Sequence, residues 1–154
     1  MTLFEQAHSR REALRIAAIA AAVVALTPRL AFAKPEEVKA EMDKLYGAKE
    51  MTTGKLKLDM PEIAENGLVV PINIEVESPM TEADYVKSVN VFAEGNPFPR
   101  VLTYRFTPAC GRAGASLRMR LAQTQNVIAV AETSTGQLYM AKSEVKVTIG
   151  GCGG

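Results

Sequence analysis

Tryptophan is absent from this 154-residue chain, histidine occurs once, and cysteine occurs twice. The lone histidine, His8, lies in the N-terminal segment, so the chain from Lys34 onward has none. That excludes a Ser-His-Asp or Cys-His catalytic pair, histidine-ligated metal and haem attached through CxxCH. Cys110 and Cys152, far apart in sequence, cannot by themselves complete a zinc or iron–sulfur site. Aromatic residues make up only 6% of the chain, which argues against an aromatic-lined cofactor pocket. A catalytic centre, a bound cofactor and a resident metal are therefore not expected. Met119 and Met140 could be soft copper ligands, but such sites also draw on His and Cys, and strand methionines usually fill cores.

Long apolar runs are missing too. The longest, Ile16–Leu26, falls short of the roughly 20 residues of a membrane span. It sits between a basic start, which contains Arg10 and Arg11, and the small-residue exit "AFA", with Arg29 just before it. This is the layout of an export signal cleaved after Ala33. The Arg10–Arg11 pair followed by Leu14 resembles a twin-arginine signal, which exports folded proteins, and the alternative is general export with two incidental arginines. The expected divisions are a signal over residues 1–33, a folded domain over 34–149 and a C-terminal segment over 150–154. The expected location is the periplasm. From Lys34 onward, 14 basic residues face 15 acidic ones, so net charge gives no reason to bind nucleic acid or an anionic membrane, and there is no second apolar segment to act as an anchor.

What is present is alternation. "KPEEVKAEMDKLYG" reads as a short helix, with Pro35 in its first turn, Glu36 and Glu37 at its positive end and Gly47 at its stop. Its apolar face, Val38, Met42 and Leu45, packs either on its own domain or on a partner subunit. From Lys55 the period changes to two. One face carries Leu68, Val70, Ile72, Ile74 and Val76, with Pro71 indicating an edge or bulge. Further runs place Leu117, Met119 and Leu121, then Val145, Val147 and Ile149, inward. Breakers at Asn66-Gly67, Gly95-Asn96-Pro97, Gly111–Gly114 and Ser134–Gly136 separate these runs. The pattern predicts an all-β fold, an immunoglobulin-like antiparallel β-sandwich of about seven strands with a short N-terminal helix.

The chain closes on "GGCGG", with Cys152 flanked by Gly150, Gly151, Gly153 and Gly154. The glycines add no bulk and leave the backbone free. Three residues beyond Ile149, the thiol can stand roughly 10 Å off the last strand. No Lys, Arg or His lies in the last seven residues to stabilise a thiolate, so the cysteine is a poor autonomous catalyst. A thin, flexible, unactivated thiol suits a swinging arm that holds a covalent intermediate and presents it to separate enzymes. The competing reading is a periplasmic interaction module whose tail forms an interchain disulfide. A thiol enzyme would need a base or cation near Cys152, and none is adjacent.

The twin-arginine-like start, a β domain ending "KVTIGGCGG", the stretch "RMRLAQTQNVIAVAET" and the absence of histidine after the signal together resemble the SoxY family. This family comprises the sulfur-carrier subunits of the periplasmic Sox system, which oxidises thiosulfate to sulfate. The resemblance covers the whole chain. It implies a non-catalytic carrier in a heterodimer with a SoxZ-like subunit, with Cys152 as the covalent attachment point. It further implies transient contacts with a haem enzyme that conjugates thiosulfate, a thiol esterase that releases sulfate, and a sulfane dehydrogenase. It requires only the tail cysteine. Cys110, in "TPACGRAG", is either a small loop residue or a resolving thiol for Cys152.

Overall fold

The computed structural model describes residues 33–149, and the signal positions, including Arg10 and Arg11, and the Gly150–Gly154 segment with Cys152 lie outside them. The chain first forms helix α1, Pro35–Tyr46. Pro35 opens it, and Gly47 closes it at φ 65°, where a side chain would be strained. Nine strands follow: β1 Met51–Thr52, β2 Leu56–Asp59, β3 Ile63–Asn66, β4 Val70–Val76, β5 Val86–Ala93, β6 Arg100–Arg105, β7 Ala113–Met119, β8 Gln125–Thr133 and β9 Leu138–Ile149.

The strands form the two layers of a sandwich. The larger sheet runs β1-β9-β8-β5-β6, with β3 also pairing β9, and the smaller runs β2-β4-β7. Period-two burial explains the partition. β4 buries Val70, Ile72, Ile74 and Val76 and exposes the residues between them. These side chains meet Val89, Val91, Val127, Ala129 and Val145 of the larger sheet in the main core. Pro71 pairs with Arg118 of β7, at a level β2 does not reach, since β2 covers only Asn73–Val76 of β4. Its missing N–H therefore falls on a locally open side. Met119 packs against the main core, whereas Met140 packs in the second cluster on the other face of the larger sheet. Both act as apolar filler and do not converge on one site.

That second cluster is the seat of α1. Val38 and Tyr46 pack with Met42 against Phe92, Ile128, Val130 and Leu138. The helix face thus serves its own domain. The stripe is rotated from the expected one, because Tyr46 is buried while Leu45 is exposed. A hydrogen-bond chain accounts for this: Thr103 Oγ1 donates to Asn90 Oδ1 (2.6 Å), and Asn90 Nδ2 donates to the Tyr46 hydroxyl (2.7 Å). The buried amide and phenol satisfy each other, and burial pushes the Tyr46 pKa up.

Candidate functional site

The C-terminal segment departs from Ile149, so the site is built around the end of β9. That strand is twelve residues long, and its last turns run past the core: Val145 is fully buried, but Ile149 is 66% exposed. The expectation that Ile149 points inward is therefore corrected. Its parity with Val145 is right, but no facing layer remains to cover it. The strand end is nevertheless held firmly. β3 lies parallel beside it, with Asn66 opposite Ile149. The Gly67 amide donates to the Ile149 carbonyl (2.7 Å), and the Leu121 amide donates to the Gly67 carbonyl (2.8 Å). The Asn66 side chain accepts from the Leu68 amide at 2.9 Å, which sets the turn into β4. Leu68 precedes the strand and is 46% exposed, contrary to its expected inward place, because β4 begins only at Val70.

A buried polar knot braces the same end. Asn96, in the loop between β5 and β6, donates from Nδ2 to the Arg120 carbonyl (2.9 Å). Its Oδ1 accepts from the Ala122 amide and from Gln125 Nε2, both at 3.0 Å. Gln125 Oε1 accepts from the Gly95 amide at 2.7 Å. A Cβ on Gly95 would stand 2.9 Å from Gln123 Nε2 and 3.2 Å from Gln125 Cβ, so a side chain there would push both glutamines aside. Asn96 and Gln125 are both buried, and each is hydrogen-bonded. The loops on either side of Leu121 are thereby welded to the turn that carries the Ile149 carbonyl. The C-terminal segment thus leaves from a densely hydrogen-bonded pole of the sandwich.

Cys110 lies at the opposite pole. It ends a single 3-10 turn, Pro108–Cys110, before the left-handed Gly111. Just before it, the Phe106 amide donates to Lys87, at the start of β5 and far from the Ala93 end. Just after it, Ala113 pairs with Val76, while Met119, at the other end of β7, pairs with Val70 near the arm's base. Six residue steps of β7 alone separate the two poles by roughly 20 Å. The arm reaches roughly 10 Å from Ile149, leaving a gap larger than the roughly 4.4–6.8 Å between disulfide-linked Cα atoms. Cys152 lies outside the described residues, and the expected resolving role of Cys110 within one chain would require the C-terminal segment to bridge this separation. The Cys110 thiol is exposed, and its pKa is lowered by the Thr107 backbone N–H (3.5 Å) and by the Thr107 hydroxyl (3.8 Å). Among the described residues no group of three His, Cys, Asp or Glu side chains is placed to hold a metal.

The chain matches the family described as "Sulfur oxidation protein SoxY" over residues 42–152, a span that runs through the whole sandwich to Cys152. The chain belongs to the SoxY family. Among solved structures it is similar to the sulfur carrier protein SoxY from Chlorobium limicola f thiosulfatophilum. The identity is 30% and the TM-score 0.61, with 74% of this chain and 98% of that one covered. It also resembles the superoxide reductase (neelaredoxin) from Ignicoccus hospitalis, at 19% identity and TM-score 0.55, over 75% of this chain and 94% of that one. A putative superoxide reductase from Thermotoga maritima matches at 19% identity and TM-score 0.51, over 64% and 87%. These latter likenesses establish the sandwich fold alone. No curated protein matches.

The knot was not legible beforehand. Asn96 sits in the Gly95-Asn96-Pro97 breaker, Gln125 opens β8, and the two are brought together only by the fold. The uneven placement of arginine along the chain was a visible signal that composition alone does not reveal.

Proposed function

We propose that this chain is a periplasmic sulfur carrier in which Cys152 holds thiosulfate-derived intermediates. The SoxY match extending to Cys152 carries the reading, and the rigid seat of Ile149 supports it. A flexible arm on a firm base confines the thiol to a shell of roughly 10 Å radius, which raises its effective concentration at a docked enzyme. Loading joins the Cys152 sulfur to the outer sulfur of thiosulfate. The thiol proton is released, and two electrons pass to the haem enzyme that conjugates them. Hydrolysis then places water oxygen on the terminal sulfonate sulfur. Sulfate leaves, a proton is released, and the persulfide stays on Cys152. A sulfane dehydrogenase oxidises that sulfur further.

The chain itself supplies attachment and presentation, and separate enzymes supply the catalysis; it needs no cofactor beyond the covalent adduct. Gly150, Gly151, Gly153 and Gly154 keep the arm narrow. A SoxZ-like subunit completes the heterodimer. Residues 1–33, with Arg10 and Arg11, act as the twin-arginine signal, and 34–149 form the carrier domain. The test is Cys152→Ser in a reconstituted system. The variant should fold normally and lose thiosulfate-dependent electron transfer. Full turnover by the serine variant would refute the reading and leave a structural tail cysteine in its place.

A further inference from the structure

From Lys34 onward the chain has five arginines, Arg100, Arg105, Arg112, Arg118 and Arg120. All lie between residues 95 and 131, a stretch that contains no lysine, aspartate or glutamate. The nine lysines and 15 acidic residues of that region of the chain all lie outside the stretch. Folding gathers the arginines along one flank, because β6 and β7 are edge strands of the two sheets. Among the described residues only Arg100 makes an ion pair, with Glu41 at 3.6 Å.

Charges on edge strands discourage unwanted pairing, but lysine serves that purpose and is absent here. Arginine differs in offering a planar fork that grips carboxylates with two hydrogen bonds, and it is enriched at interfaces where lysine is depleted. The flank is also partly apolar. Between β6 and β7 runs a groove of about 270 Å³ lined by Val101, Leu102, Leu117 and Met119, with Arg118 and Arg120 beside them. Phe98, in the loop that Asn96 fixes, is 75% exposed, and Val69, near the arm's base, is 53% exposed.

Two of the arginines stand at the arm's pole. Arg120 precedes Leu121, whose amide bonds Gly67, whose amide in turn bonds Ile149. Arg118 pairs with Pro71 at the same level. Any enzyme that takes the Cys152 thiol must approach this pole, because the arm spans only roughly 10 Å. Outside the arginine stretch the chain is net negative and repels an acidic surface, so charge also sets the orientation.

We infer that Arg118 and Arg120, with the groove and Phe98 beside them, form a docking surface for an acidic face on the enzymes that act on Cys152. This rests on the carrier reading above. The arginines meet carboxylates on the docking enzyme, and the apolar groove takes a side chain next to them. Docking thus aligns the arm before the thiol enters.

The experiment compares two equal charge deletions on the full carrier, in its heterodimer, with the thiosulfate-conjugating enzyme of the same Sox system. R118Q/R120Q lies at the arm's pole, and R105Q/R112Q lies at the far pole. The first should raise KM for loading about tenfold at moderate salt with kcat unchanged, since it removes charge-assisted contacts. The second should stay within about twofold, as a remote and screened charge does. The rate of Cys152 with a small thiol reagent should be the same in all. Equal effects from both pairs would reduce the flank to a general field and overturn the docking surface, as would no effect from either. A wild-type carrier that the enzyme never loads would instead overturn the carrier reading, and docking with it. Should R118Q/R120Q fold poorly, R118Q and R120Q singly carry the same comparison.

Discussion

Asn96→Ala removes one side chain that serves three partners: the Arg120 carbonyl at 2.9 Å, and the Ala122 amide and Gln125 Nε2 at 3.0 Å each. Gln125 keeps a second acceptor, the Gln123 carbonyl at 3.1 Å, and the segment around Arg120 and Ala122 is partly open to water. Each lost partner therefore costs near the low end of the penalty for an unsatisfied group, about 1 kcal/mol, or about 3 kcal/mol together. For a domain of this size that lowers the melting temperature by roughly 10 °C. The assay is thermal unfolding by circular dichroism on the chain from Lys34 onward, with Asn73→Ala as control. Asn73 is exposed and bonds only the Asp59 carboxylate, so its loss should shift the transition little. If Asn96→Ala melts within about 2 °C of the parent, the knot does not brace the arm's pole, and the rigid-seat argument fails.

Replacing Gly151 and Gly153 with valine should leave melting and reaction with a small thiol reagent unchanged while sharply reducing turnover by partner enzymes, because β-branched residues widen and stiffen the arm. Parallel losses in both reactions would show instead that the glycines support the thiol's own reactivity. In a Cys152→Ser background, alkylation of Cys110 should rise with pH around a midpoint below that of an ordinary thiol, since the Thr107 contacts favour the thiolate. Thr107→Val keeps the backbone contact but loses the hydroxyl, so it should move that midpoint part-way up. Mild oxidation followed by digestion should yield no Cys110–Cys152 peptide from monomeric chain; recovering one would contradict the separation of the poles.

The alternation of β4 was legible because its inner face, Val70 to Val76, is fully covered, and the inward parity of β9 was legible at Val145 for the same reason. Reading failed where the same period was carried past the covering layer, at Leu68 and Ile149. The helix limits followed from Pro35 and Gly47, but its buried stripe did not, because Tyr46 gains a partner in Asn90 that only the fold brings near. β1 and β3 are too short to announce themselves. Both pair in parallel with β9, a tertiary choice with no local signature, which is why about seven strands were expected and nine are found. The arm is the reverse case. The proposed attachment point, Cys152, is read from "GGCGG" alone, whereas the body's contribution, a hydrogen-bonded carbonyl at Ile149 and an arginine-flanked pole, depends on residues distant in sequence.

The most direct test is the intact mass of the carrier after incubation with thiosulfate and the conjugating enzyme, followed by mapping of the adduct. The expected product is monomeric chain heavier by one thiosulfate unit, with the added mass on the C-terminal peptide containing Cys152 and none on Cys110. Subsequent treatment with the sulfate-releasing esterase should leave a single extra sulfur. An unmodified monomer, or a disulfide-linked dimer through Cys152 as the sole product, would contradict it.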